Sequence, residues 1–237
     1  MTKKLLLILL ASILTVGIFT LCACGSHEHT FSEKWNGNEN YHWHDATCSD
    51  TTEKSGLAAH TFVGAKCSVC DYSLKTTDGL VYELNADGNS YALKSVGEVT
   101  DENVIVPSTY NGKPVTIIAD KAFWLCSTVV KIVLPEGITE IGEYAFADCN
   151  NVKSIYIPEG VKSIGYMALM DCTSLPEITL PASLEEIGGS LVFYSRALKN
   201  LNFAGTKAQW EAISKDGWNN GVTVSVVHCS DGDVSAR

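Results

Sequence analysis

Two groups of residues have the type and spacing to do chemistry. Five of the six histidines lie between His27 and His60, and the same stretch runs on to Cys67-x₂-Cys70. Cys48 lies upstream, with His44 four residues before it. Neutral imidazole and thiolate are the ligands a tetrahedral Zn²⁺ prefers. His44, Cys48, Cys67 and Cys70 make one four-ligand set for a structural zinc, and His60 is a rival for the fourth place. A module of about 50 residues has little core of its own and needs such a staple. The same thiols have a second reading, in which Cys48 pairs with Cys67 or Cys70 in an oxidising compartment. Spacing alone does not choose between zinc and disulfide. A catalytic metal needs a general base and an open coordination position, and this stretch names neither. A redox role for the C-x₂-C pair lacks the βαβ context it requires. His27, Glu28 and His29 read as a solvated linker.

The second group is Cys126, Cys149 and Cys172, spaced 23 residues apart. A nucleophilic thiol needs polar, electropositive surroundings that lower its pKa. These three sit among apolar neighbours instead. Strands stacked about 4.8 Å apart would hold their Cβ atoms farther apart than the ~3.8 Å a disulfide wants. The expectation is a ladder of buried thiols acting as small hydrophobes.

That spacing belongs to a repeat. Ile132, Ile155, Ile178 and Leu201 each open a unit of 23 residues. One column holds Ile118, Ile141, Ile164 and Ile187, and another holds Phe123, Phe146, Leu169 and Val192. The cysteine column continues to Ser195, and a fourth column holds Val129, Val152, Leu175 and Leu198. Pro107, Pro135, Pro158 and Pro181 each end a short β-like run. An earlier unit opens at Val104 and carries a turn-like insertion around Tyr110–Lys113. One such unit cannot bury its apolar face, but stacked units can, so the columns predict a solenoid.

At these residues the chain resembles the BspA-like leucine-rich repeats of bacterial surface proteins. The best match is Val152–Cys172, with Ile155, Ile157, Pro158, Val161, Ile164, Gly165, Ala168, Leu169 and Cys172 in their places. The resemblance covers roughly residues 80–229. It implies an α+β repeat fold: a curved right-handed solenoid with a short parallel strand in each turn on the concave side. It also implies a non-catalytic binding or adhesion protein. The third full repeat departs from the pattern at Gly188–Leu191 and Ser195. The segment before the repeats resembles a His/Trp/Cys-rich module of similar surface proteins, and that resemblance implies no activity.

The expected division is a lipoprotein signal peptide at 1–23, a His/Cys-stapled module at 24–78, a β-hairpin cap at 79–103, repeats at 104–203, and a cap and tail at 204–237. Lys3 and Lys4 precede an uncharged apolar run from Leu5 to Leu21, followed by Cys22-Ala23-Cys24. This resembles a lipobox with Cys24 as the lipidated residue, which implies export and a lipid anchor on the outer face of the cell membrane. Asp87-Gly88 between two strand-like runs signals the hairpin. Gly205–Ile213 reads as a short capping helix and Val222–His228 as a last strand.

In a solenoid the strand residues flanking the buried positions line one face. Asn103, Lys131, Ser154, Glu177 and Asn200 form one row; Ile105, Val133, Tyr156, Thr179 and Asn202 form the other. Lys131, Val133, Tyr156, Glu177 and Thr179 are the expected binding face. The apolar members mark either an interaction site or simple strand propensity. Five strands give a face about 20 Å wide, which favours weak or multivalent binding to a protein or surface glycan. The net charge of -10 repels phosphate backbones, so no nucleic-acid partner is expected. No nucleophile elbow, phosphate loop or H-E-x-x-H is present in the sequence, so no enzyme is expected. The alternative function is a zinc-handling surface lipoprotein.

Overall fold

The computed structural model describes residues 31–37, 41–46, 54–59, 62–70, 72–221 and 224–236. The expected signal peptide, Cys24, Cys48 and His60 lie outside the described residues. The chain divides into two compact units, Met1–His60 with Val69–Asp71, and Thr61–Ser68 with Tyr72–Arg237. The hairpin of Phe62–Val63 and Lys66–Cys67 therefore goes with the repeats, although the sequence suggested a boundary after residue 78.

The first unit contains an antiparallel sheet of Asn36–Gly37, Tyr41–Asp45 and Lys54–Ala59. Asp45 ties it together, accepting from Asn36 Nδ2 at 2.5 Å and Trp43 Nε1 at 2.6 Å. Those two bonds hold its carboxyl below the usual range, Asn36 first. The Lys54 ammonium lies 3.6 Å from the Trp43 ring centroid, a cation–π contact.

In the second unit each coil contributes two strands, where the sequence suggested one. The first ladder joins Tyr91–Ser95, Lys113–Ile118, Glu140–Ile141, Ser163–Ile164 and Glu186–Ile187 in parallel. Its register stacks Leu93, Ile118, Ile141, Ile164 and Ile187 one above another, none more than 2% exposed. The second ladder joins Asn103–Ile105, Lys131–Val133 and Ser154–Tyr156; separately, Glu177–Leu180, Asn200–Phe203 and Val226–Cys229 form its continuation.

The rest of each coil is built of turns, which corrects the α+β expectation: among the described residues there is one helix, Lys207–Ala212, and it lies in the cap. Two residues per coil adopt left-handed backbone. Lys121, Tyr144, Met167 and Ser190 form one column, and Leu125, Asp148, Asp171 and Tyr194 the other. Between them alternate amides point to the next coil. Tyr144, Phe146 and Asp148 donate to the carbonyls of Tyr166, Ala168 and Met170 at 2.8–2.9 Å. Donors committed between coils cannot form the i→i−4 bonds of a helix. Each left-handed residue costs about 1–2 kcal/mol, and these bonds offset it. The coils approach so closely that a Cβ on Gly165 would lie 2.6 Å from the Glu143 nitrogen.

Both ends are closed. Val81–Leu84 pairs antiparallel with Tyr91–Ser95, and the Asp87 carboxylate accepts from the Asn89 amide in the connecting turn. At the other end Thr206 and Gln209 form a capping box. Trp210 and Ile213 are buried, and Gly232–Ser235 pairs antiparallel with Val226–Cys229 to cover the last edge.

Candidate functional site

The strand-face ladder breaks at one coil boundary, and a proline stands there. At each coil boundary the residue two before the central Ile or Leu donates its amide to the preceding coil. Val130 donates to the Glu102 carbonyl at 2.7 Å, Lys153 to Val130 at 2.8 Å, and Lys199 to Pro176 at 2.8 Å. At the remaining boundary that position is Pro176, which has no N–H. Ser154–Tyr156 and Glu177–Leu180 do not pair with each other. A groove of about 330 Å³ follows the gap, lined among others by Ser154, Tyr156, Glu159, Pro176, Glu177 and Thr179.

Three of the expected binding residues thus line one groove. Glu177 and Thr179 are exposed. Tyr156 is half-buried; its hydroxyl donates to Glu136 Oε1 at 3.0 Å. Lost hydration first, and that bond to a carboxylate second, push the phenol up to about 12. Glu159 is engaged elsewhere, accepting from the Ala182 and Ser183 amides. The other two expected residues sit differently. Lys131 is half-buried and Val133 is 1% exposed, as Ile105 beside it is 5%. Thr77 explains one end of that row: its Oγ1 accepts the Ile105 amide at 2.9 Å, and its amide donates back to the Ile105 carbonyl at 2.9 Å. Gly64 explains the other end, for a Cβ there would lie 2.9 Å from Cε1 of Tyr156. The apolar row is covered by the chain itself, a third option beyond ligand site and strand propensity.

In the first unit the structure brings His42 to Cys70, with a ring nitrogen and Sγ within 4.8 Å. His42 is 3% exposed. His44, the residue singled out by spacing, lies with Nδ1 3.3 Å from the Lys34 carbonyl and its ring centroid 3.9 Å from that of Trp35. Strict strand alternation would put both histidines on one face. Both rings pack against Trp35, His42 at 4.6 Å and His44 at 3.9 Å between ring centroids, and it is His42 that the fold brings to Cys70. Spacing alone does not single out His42. In the second unit Cys67 is buried at the end of its strand; neither it nor Cys70 is in a disulfide.

The repeat cysteines are buried thiols. Cys149 Sγ donates to the Phe123 carbonyl at 3.0 Å and Cys172 Sγ to the Phe146 carbonyl at 3.2 Å. Ser195 repeats the bond one coil later, to the Leu169 carbonyl at 2.7 Å. Burial pushes the Cys172 thiol up to about 12 and raises Cys126 and Cys149 as well. Thiols so held are poor nucleophiles at neutral pH.

A family model described as the BspA type leucine rich repeat region matches residues 102–215 in six copies. No curated protein matches the chain. Among solved structures the chain is similar to a leucine-rich-repeat protein of T. pallidum, at 29% identity and TM-score 0.52, covering 56% of this chain and 66% of that one. It is also similar to a leucine-rich-repeat protein from Bacteroides capillosus, at 26% identity and TM-score 0.47, covering 55% and 98%. A leucine-rich cell surface protein from Faecalibacterium prausnitzii is similar at 28% identity and TM-score 0.41, covering 60% and 45%. This chain therefore spans just under two thirds of the T. pallidum protein's length.

Proposed function

Residues 102–215 belong to the BspA-type leucine-rich-repeat family, and from that premise we propose a non-catalytic, lipid-anchored cell-surface protein that binds a protein or glycan through its strand face. The observation that supports this most is the groove at Pro176. It gathers an aromatic ring, a carboxylate and hydroxyls from neighbouring coils at one opening in an otherwise paired wall. Convergent polar groups around an apolar floor are what a recognition pocket needs. Lipid at Cys24 supplies the anchor, about 0.8 kcal/mol per buried CH₂, with two or more acyl chains needed for stability. Among the described residues no helix is long and apolar enough to cross a membrane. A Cys24→Ser variant should lose fatty-acid labelling and leave the membrane fraction.

The binding test displays the full chain on a non-adherent bacterium and counts cells retained on host-cell monolayers. Glu177→Ala with Thr179→Ala should lower retention several-fold, because both side chains are exposed and their loss leaves the core intact. Retention equal to wild type would remove the groove from consideration. Val133 is not a clean probe, since its burial would confound binding with stability.

A second reading rests on the His42–Cys70 pair. Buried imidazole beside a thiol is a donor set suited to Zn²⁺, and Cys67 stands three residues before Cys70 in the sequence. A structural zinc would hold tightly, whereas a zinc-handling protein would exchange it readily. Metal analysis of the purified full chain should find zinc that His42→Ala loses and His44→Ala keeps. Equal zinc content in both variants would end this reading.

A further inference from the structure

We propose that the turn face of the solenoid, formed by residues 120–125, 143–148, 166–171 and 194–196, is a second interaction surface. It takes an extended cationic peptide segment whose arginine and lysine side chains stack on a stripe of exposed aromatic rings. None of these residues lines the groove at Pro176, and the proposal goes beyond the strand-face reading.

The rings run from coil to coil. Trp124 lies in one coil, Tyr144 in the next, Tyr166 in the third and Tyr194 in the fourth. Tyr144 and Tyr166 meet edge to face, with ring centroids 5.6 Å apart. The Tyr166 ring leans on Gly189, where a Cβ would already touch Cδ2 at 3.4 Å. The departure from the repeat at Gly188–Leu191 thus seats this ring. Trp124 is 47% exposed, Leu125 beside it 58%, and Tyr194 50%. Apolar groups exposed singly are ordinary, but a contiguous stripe of them marks an interaction surface. The core does not call for rings here, since Ala147 and Met170 stand where Trp124 does in the two coils that follow. The stripe is also held in place. Leu125, Tyr144 and Tyr194 keep left-handed backbone, the Tyr144 amide donates to Tyr166, and Trp124 Nε1 donates to Asp148 Oδ2 at 3.0 Å. Rings ordered in advance lose little freedom on binding.

Charge selects the partner. Asp120, Glu143, Asp148 and Asp171 lie on the same turns as the rings, in a chain of net charge -10. The two cations of the surface sit on the rings themselves. Lys121 Nζ is 5.3 Å from the Trp124 centroid and 5.8 Å from that of Tyr144, and Arg196 Cζ is 5.6 Å from that of Tyr194. Ring faces attract cations, and here the chain supplies its own. An incoming arginine takes the place of Lys121 over the rings and pairs with the carboxylates beside them. Arginine suits the surface better than lysine, because guanidinium stacks flat and forks to a carboxylate. Four coils about 4.8 Å apart make a strip about 15 Å long, the reach of about four or five extended residues.

The test measures binding of fluorescein-labelled octa-arginine to the full chain by anisotropy, with octa-lysine and chitohexaose for comparison. Octa-arginine should bind more tightly than octa-lysine. Trp124→Leu with Tyr166→Leu removes two rings and keeps every charge, at exposed positions where the fold tolerates change. Octa-arginine affinity should fall several-fold. Glu143→Gln with Asp171→Asn should lower it as well and flatten its dependence on salt. Lys121→Gln vacates two ring faces, so affinity should rise several-fold, and this gain should vanish when Trp124→Leu and Tyr166→Leu are added. Unchanged octa-arginine affinity after loss of the two rings would overturn the proposal, leaving bulk charge as the whole attraction. Chitohexaose binding that the same variant loses while octa-arginine binding holds would assign the stripe to glycan instead. Failure here leaves the groove reading intact, and failure of the Glu177/Thr179 adhesion test leaves the aromatic stripe intact.

Discussion

The two parallel ladders of the second unit are built by the same coils yet behave differently. The Ile118–Ile141–Ile164–Ile187 ladder runs without interruption. The strand-face ladder stops between Tyr156 and Glu177 and resumes one coil later. The core does not explain the stop, because Ile155 and Ile178 belong to the same apolar cluster. What sets that boundary apart is Pro176, which lacks the amide that Val130, Lys153 and Lys199 donate at theirs. A solenoid can thus open a groove on its face without disturbing its interior, since apolar stacking and inter-coil hydrogen bonding are carried by different atoms of the same residues.

That separation predicts unequal costs. Ile164→Ala, in the unbroken ladder, leaves a cavity at a site 1% exposed and should cost about 2–5 kcal/mol in denaturant unfolding. Thr179→Ala, beside the groove, should change stability by no more than about 0.5 kcal/mol. Similar losses at both sites would mean that the face shares the core's load. Gly165→Ala comes next. The new methyl would meet the Glu143 backbone nitrogen at 2.6 Å, and backbone cannot step aside as a side chain does. Overpacking there should cost about 1–3 kcal/mol, readable as a shift of the unfolding midpoint at unchanged slope.

The stacking was legible in the sequence because it depends on periodicity alone. Ile118, Ile141, Ile164 and Ile187 recur at a fixed interval, and burial is the consequence. The Glu140–Ile141 type of strand was not legible, being two residues long and too short to show alternation. Nor were the turn columns at Tyr144 and Asp148, because left-handed backbone at non-glycine residues leaves no compositional trace. Pro176 was visible, but its effect depends on which amide faces the neighbouring coil, a geometric fact. His42 was not legible because spacing does not show which histidine the fold brings to Cys70, and the contacts at Ile105 and Tyr156 come from Thr77 and Gly64, distant in sequence and local to no motif.

Restoring the missing donor sharpens the comparison most directly. Pro176→Ala supplies an N–H at the position from which Val130, Lys153 and Lys199 donate at the other boundaries, and the strand-face ladder should close as its neighbours do. The net gain from one hydrogen bond is about 1 kcal/mol, and losing proline's restraint on the unfolded chain removes about 0.4–1 kcal/mol. Stability should therefore barely move. Hydrogen exchange at Glu177 and Thr179 should slow markedly, and adhesion should fall with the groove. Unchanged exchange at both amides would show that the groove has another cause.

The smallest effect belongs to the thiol column, where the two ladders share one interior. Ser195 already occupies the cysteine position in its own coil and donates to Leu169 at 2.7 Å, as Cys172 donates to Phe146. Cys172→Ser should therefore keep the bond and cost less than about 1 kcal/mol at neutral pH, the scale of one net hydrogen bond. Its pH dependence is more telling. Burial raises the Cys172 thiol from its ordinary value of 9 to about 12, so between those values the folded chain keeps a proton that the unfolded chain has released. Wild-type stability must then fall as pH rises from 9 to 12, and below 9 this group contributes no slope. Cys172→Ser removes that proton from the balance. Its stability should decline less steeply than wild type over the same window, and identical slopes would show that the thiol is not held away from water.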